Sequence, residues 1–257
     1  MGFFKVIIPN YNSEKYIKDC LESILNQTFT DFDIVIADDL STDNSVEIIK
    51  SFDDKRIHLV LNDRKRYNGG GRNVGIDYPI ESKYTLFIDD DDVFYSNDCF
   101  QKLYDKICDK NYPDCVNLPY VYDDGKQYFL KLNRNTPEVL VHDKNVACWT
   151  KAIKSELMVH FPENTLMEDV SQHIEQCDKL ETIVSMDCFY VVWNRKVADS
   201  CSRKPSPKRK SSEWRQLADV MDLELVHDYC KEEQQNRIDE YLKLLLSGRH
   251  VWEELSR

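Results

Sequence analysis

Along the first third of the chain the apolar positions switch repeatedly between two spacings. Residues 3–9, FFKVIIP, form a short β-branched and aromatic run closed by proline, which predicts a buried strand. From there Tyr16, Ile17, Cys20, Leu21, Ile24 and Leu25 recur at helical intervals, with Asn12 or Ser13 as the expected N-cap. DIVIADD (33–39) predicts a second strand, TDNSVEIIKSF (42–52) a second helix and IHLVLN (57–62) a third strand. GGGRNVGIDY (69–78) predicts a glycine-loosened helix, and YTLFIDD (84–90) a fourth strand. Alternation of this kind builds an α/β fold, a mostly parallel central sheet with helices on both faces.

The second half is less regular. A helix is expected around 98–110, and 120–132 predicts a hairpin turning at Asp124-Gly125. Helices are expected around 147–157 and 168–179, then a strand near 187–193. RKPSPKRK (203–210) is basic and proline-broken: a solvated linker, or a local contact for an anionic partner. Beyond it, 211–229 and 231–247 predict two helices, the last with a greasy end at Leu242, Leu244, Leu245 and Leu246. That tail packs back on the core, forms a dimer contact or lies on a membrane.

Composition narrows the class. With 42% hydrophobic and 11% aromatic residues over 257 positions, the chain can bury the core of one large domain. A formal charge of −12 disfavours nonspecific attraction to nucleic acid or anionic lipid. The nine cysteines include no C-x-x-C pair, which favours reduced thiols over zinc ligation. No secretory leader is expected at the start, because proline interrupts the apolar stretch of MGFFKVIIPNYN, and no segment approaches the ~18 apolar residues of a membrane span. A cytoplasmic location is the expectation.

Charge is then concentrated where it matters. FIDDDDVF (87–94) sets four consecutive aspartates behind an apolar run, and Asp38 and Asp39 end the second strand. In an open parallel sheet ligands bind beyond the carboxyl ends of the strands, so both acidic groups are expected at one crevice. Some of these carboxylates suit hydrogen bonding and others a hard divalent cation, which takes oxygen ligands. Between them, NGGGRNVG (68–75) combines close backbone approach with the planar cation of Arg72. Neither a P-loop nor a dinucleotide fingerprint is present.

VIIPNYN, DIVIADDLSTDNS, NGGGRNVGI and FIDDDDVF, in this order and at these intervals, closely resemble the inverting family-2 glycosyltransferases of the GT-A fold. Downstream, CWTKAIKSELMVHFPENTLMEDVSQHI is similar to the family's W-x-K…F-x-E…E-D stretch, and FYVVWNRKVADSCS to its following strand. The resemblance covers residues 3–203, implying a GT-A domain over 1–203 and a basic linker with a helical C-terminal extension over 204–257. It implies that Asp38 and Asp39 hold the uracil and ribose of a nucleotide-sugar donor, with Pro9 and Asn12 walling the base. Arg72 and Asn73 would support the nucleotide and the metal motif. Asp89 would face the ribose, and Asp91 would bind Mn²⁺ or Mg²⁺ on the diphosphate. Asp90 would also contact the donor nucleotide and Asp92 is a secondary candidate, though a run of four permits a shift of register for both. Asp169 would be the catalytic base, with Glu168 as the alternative.

His173, one helical turn after Asp169, is expected to be a structural or acceptor-side polar residue rather than a metal ligand, and Trp149 to be core rather than a sugar platform. Two departures from the family pattern stand out: Leu40 replaces the glycine after the aspartate pair, and Gly71 replaces the alanine before Arg72-Asn73. The expected donor is UDP-linked, and the acceptor a glycan or a lipid-linked precursor. DNA carrying a hydroxylated base is a less favoured acceptor, motivated only by the basic stretch.

Two rival readings remain. Asp89, Asp91 and Val93 also satisfy D-x-D-x-[TV], the haloacid-dehalogenase phosphatase signature, although that signature normally follows the first strand of its core. A degenerate transferase serving only to bind nucleotide sugars is the other, and the presence of Asp91 together with Asp169 argues against it.

Overall fold

The computed structural model describes residues 2–122, 127–128, 147–163, 168–188 and 190–193. The expected turn at 123–126, the basic linker and the two C-terminal helices lie outside them.

A seven-stranded sheet organises the molecule. In chain order its strands are β1 (Gly2–Asn10), β2 (Phe32–Asp38), β3 (Ile57–Leu61), β4 (Ser82–Phe87), β6 (Cys115–Asn117), β9 (Lys151–Lys154) and β10 (Ile183–Ser185). Their spatial order is β10-β6-β9-β4-β1-β2-β3, and every pairing is parallel except those of β9 with β4 and with β6. β1 is central and buried almost throughout, as its uninterrupted apolar run predicts for a strand covered on both faces. Ile7, Ile36 and Leu86 from adjacent strands are all fully buried. Each contributes roughly 1.5–3 kcal/mol relative to exposure.

The helices are α1 (Ile17–Leu25), α2 (Ser45–Lys50), α3 (Tyr67–Asp77), α4 (Cys99–Asp109) and α5 (Asp169–Asp178). A smaller sheet is formed by β5 (Val93–Phe94), which directly follows the acidic run, with β11 (Val191–Trp193), β7 (Tyr120–Tyr122) and β8 (Gln127–Tyr128). β7 and β8 pair antiparallel, as expected for the hairpin.

Three expectations need correction. Residues 147–157 are not a helix but two short 3₁₀ turns flanking β9. Ala152 and Lys154 are good helix formers, yet pairing with β4 and β6 on both sides outweighs their local propensity. The strand expected near 187–193 is confined to β11, and β10 precedes it. Neither Asn12 nor Ser13 caps α1 through its side chain. Ser13 Oγ donates to Asn10 Oδ1 at 2.5 Å, and Asn12 Oδ1 accepts from the Thr42 amide at 2.8 Å, so both fasten loops instead.

α3 is a regular helix despite its glycines, and they explain its closeness to the sheet. A Cβ on Gly75 would collide with Ile7 of β1, coming 2.9 Å from Cγ1 and nearer still to Cγ2. Gly75→Ala is therefore expected to destabilise the fold by about 1–3 kcal/mol, read as a lower melting temperature. An unchanged Tm would mean that α3 can lift off β1.

Candidate active site

Parallel pairing brings the ends of three strands to one edge. Asn10 ends β1 opposite Asp38 of β2, and the acidic run 89–92 leaves β4, which pairs with β1. The two carboxylate groups expected at one crevice are thus brought together.

Asp38 and Asp39 are both buried and both engaged by the chain itself. Asp38 accepts from Asn10 Nδ2 at 2.7 Å and from the Ser41 amide at 3.1 Å, which ties the end of β1 to the loop after β2. Asp39 accepts from the amides of Arg66 (2.6 Å) and Tyr67 (2.9 Å), at the start of α3, and from Asn62 Nδ2 (3.2 Å). Lys65 Nζ lies 3.1 Å from its carboxylate and 2.9 Å from the centre of the Tyr11 ring. Tyr11 and Lys65 were missed in the sequence, although the basic triplet Arg64–Arg66 ahead of the glycine run was a visible signal.

Pro9 lies in β1, its Cβ 3.3 Å from where a Cβ on Gly71 would stand. Alanine at 71 would fit with a small shift, so that departure is minor. Leu40 keeps the left-handed backbone that glycine favours, at φ 65°, and leaves its side chain 46% exposed. The loop conformation survives the substitution, and an apolar side chain is added beside Asp39.

In the acidic run, Asp89 accepts from Arg72 Nη2 at 2.8 Å, and Asp90 accepts from the Tyr11 amide at 3.0 Å. Burial and then the charge of Asp91 push Asp90 up to about 8. Asp92 is fully buried, whereas Asp91 is partly exposed. Asp89 and Asp90 thus have protein donors, and Asp91, the residue expected to bind a cation, is a partly exposed member of the run. The donor set is oxygen only, which fits Mn²⁺ or Mg²⁺. Among the described residues no three His, Cys, Asp or Glu side chains form a preformed cage. A cation here would draw its further ligands from water and a diphosphate.

Arg72 and Asn73 serve the segment that carries the expected base. Arg72 is 3% exposed, and its Nη1 donates to Glu168 Oε1 while Nη2 holds Asp89. Asn73 Nδ2 donates to the Phe161 carbonyl (2.8 Å), and its Oδ1 accepts from the Phe161 amide (2.7 Å). His160 pairs with Asp77 at 2.8 Å, and Arg64 and Arg66 bracket Glu163 at 3.2 and 3.5 Å. A Cβ on Gly69 would meet the Pro162 carbonyl at 2.7 Å, so this glycine admits the same segment. α3 and its leading loop therefore hold residues 160–163 and Glu168.

Glu168 is consumed by Arg72, whereas Asp169 opens α5 beside it. Burial, then repulsion from Glu168, push Asp169 up to about 7, with Arg72 pulling the other way. A carboxylate near neutrality is suited to general base work. His173 is 2% exposed, its ring nitrogens 3.8 and 4.0 Å from Cys177 Sγ, in keeping with a structural role. Trp149 is buried edge-to-face against Tyr120 at 4.9 Å, as expected of core. The seven cysteines among the described residues are free thiols. No helix among these residues is long and apolar enough to cross a membrane.

Solved structures share this architecture. Staphylococcus aureus TarS, residues 1–349 in complex with UDP-GlcNAc, superposes with a TM-score of 0.74 at 22% identity, over 95% of this chain and 71% of that one. The mannosyltransferase PcManGT from Pyrobaculum calidifontis, in complex with GDP-Man and Mn²⁺, gives 0.61 at 16% identity, over 95% and 70%. In sequence, the chain is 31% identical over 173 residues to the S. aureus poly(ribitol-phosphate) β-N-acetylglucosaminyltransferase TarS, covering 62% of this chain and 30% of TarS. Glycosyltransferase GlyG of Streptococcus pneumoniae is 34% identical over 128 residues, 48% of this chain and 42% of GlyG. The chain thus spans less than half the length of these two curated relatives. The Escherichia coli UDP-Glc:α-D-GlcNAc-diphosphoundecaprenol β-1,3-glucosyltransferase WfgD is 23% identical over 234 residues, 87% of this chain and 88% of WfgD. The model of glycosyl transferase family 2 matches residues 5–174, which removes support for the phosphatase reading of Asp89 and Asp91. This chain belongs to glycosyl transferase family 2.

Proposed function

We propose that the chain is a metal-dependent inverting glycosyltransferase that moves a sugar from a UDP-sugar to an acceptor hydroxyl. The observation that carries this is the division of labour between neighbours: Glu168 is tied to Arg72, while Asp169 stands beside it with a carboxyl near neutrality. Asp39 and the loop carrying Tyr11 would receive the nucleoside, and Asp89 the ribose. Asp91 would hold the divalent cation, which, when bound, neutralises the diphosphate as it departs.

Asp169 takes the proton of the acceptor hydroxyl. The acceptor oxygen bonds to the anomeric carbon from the face opposite the diphosphate, and the carbon–oxygen bond to UDP breaks. The names of TarS and WfgD both specify β linkages, the inverted product of an α-linked nucleotide sugar. They also specify a poly(ribitol-phosphate) and a lipid-diphosphate acceptor. A surface polymer or lipid-linked precursor is accordingly the acceptor class proposed here.

UDP is expected to raise the melting temperature only when Mn²⁺ or Mg²⁺ is present, because the diphosphate otherwise faces several carboxylates. At a hundredfold excess over Kd the stabilisation is about 2.7 kcal/mol. Equal stabilisation in excess EDTA would sink the metal assignment. A chain that binds UDP-sugars but never releases UDP from them would instead be a binding module.

A further inference from the structure

Arg72 stands between two carboxylates from different parts of the crevice. One nitrogen meets Asp89 at the end of β4, the other meets Glu168 just before α5, and the Phe161 ring lies 5.3 Å from its guanidinium carbon. A planar guanidinium can serve two carboxylates at once with fixed geometry. Glu168 is also confined from behind, since its Cγ lies 2.8 Å from where a Cβ on Gly69 would stand. Its charge is therefore pinned next to Asp169.

We infer that Glu168 is a positioning residue which, clamped by Arg72, sets the pH at which Asp169 can take the acceptor's proton. This rests on the reading of Asp169 as the base. A fixed like charge beside a carboxylate favours its protonated form, and a nearby cation opposes that. The groups that face Asp169 are Glu168 on its own segment, Arg72 from α3, Asp89 from the end of β4 and Cys148 from the 3₁₀ turn before β9. Burial pushes the Cys148 thiol up, which keeps it neutral. Of the two anions, Glu168 is the covalent neighbour and the stronger influence. Without it, Asp169 would ionise at lower pH and become a weaker proton acceptor.

The test is the pH dependence of UDP release from UDP-GlcNAc at saturating Mn²⁺. It compares wild type, Glu168→Gln and Glu168→Asp, with Asp169→Asn as reference. Glu168→Gln can still accept from Arg72 through its amide oxygen but has lost the charge. Its acid limb is expected about one unit lower, so that at pH 6 it runs roughly fivefold closer to its plateau than wild type. Glu168→Asp keeps the charge and should keep the limb near that of wild type. An unmoved limb in Glu168→Gln, with Asp169→Asn inactive, overturns the inference and leaves the base in place. Near-native release by Asp169→Asn overturns the base reading itself. Should UDP-GlcNAc not turn over, carboxyl ¹³C titration of wild type and Glu168→Gln decides, with the Asp169 signal assigned by its loss in Asp169→Asn, and Glu168→Ser replaces Glu168→Gln if that variant does not fold. An Asp169 midpoint lower in the uncharged variant than in wild type supports the inference, and an unchanged midpoint overturns it, since burial alone would then account for the raised value.

Discussion

Replacing Asp169 by asparagine is expected to slow sugar transfer by ~10²–10⁴-fold, the usual contribution of a positioned general base. Binding of UDP and Mn²⁺ should stay close to wild type, because the proposed role of Asp169 is toward the acceptor alone. Asp91→Ala is the contrasting variant and should lose donor affinity and turnover together. Calorimetry with UDP and Mn²⁺, paired with transfer assays, separates the two. Comparable loss of donor binding in both variants would mean that the crevice is arranged differently.

The wild-type rate should rise with pH through about 7, where Asp169 becomes ionised, and level off above. Stability runs the other way. The folded-state value lies above the ordinary 3.8, so the folded chain holds this proton more tightly than the unfolded one. The resulting stabilisation is complete below about 3.8 and is lost as pH rises through about 7. Asp169→Asn should therefore melt above wild type at neutral pH, by a few kcal/mol at most, and match it near pH 4. Melting curves across that range check the sign.

Removing the cation between Asp89 and Glu168 should have the largest effect on stability. Arg72→Met leaves two carboxylates facing each other without it, one of them in a closed environment. Breaking a buried pair in this way typically costs about 3–5 kcal/mol. For a domain of this size that lowers Tm by roughly 6–20 °C. Adding Glu168→Gln to Arg72→Met should recover part of the loss, because the stranded charge is gone. A double-mutant cycle by urea denaturation measures the recovery. Strictly additive losses would show that the Arg72–Glu168 pair contributes little.

Local patterning carried far in the amino-terminal half. β1, β2, β3, α1, α3, β4 and α4 were legible because each combines one clear period with a stop signal, and parallel strands buried on both faces read as continuous apolar runs. The acidic run and the Asp38-Asp39 pair were legible as chemistry for a related reason. Charge placed directly after such a run has to sit at the carboxyl edge of the sheet.

What the chain by itself determined, then, was the alternation of elements, the edge at which chemistry collects, and the residue types offered there. Tertiary structure decided which of those residues are spoken for. β9 is held as a strand by β4 and β6 on either side, a non-local pairing that the helix-forming Ala152 and Lys154 do not announce. Asp38 and Asn73 match a binding motif, yet their hydrogen bonds go to Asn10, Ser41 and Phe161. The difference between Glu168 and Asp169 is the clearest case. They are adjacent carboxylates of nearly equal intrinsic acidity, and only the family resemblance favoured Asp169 over Glu168 as the base. Arg72, 96 positions earlier in the chain, engages one of them and leaves its neighbour to carry the consequences of burial. Charge–charge forces act through space rather than along the chain, so only the fold can assign them.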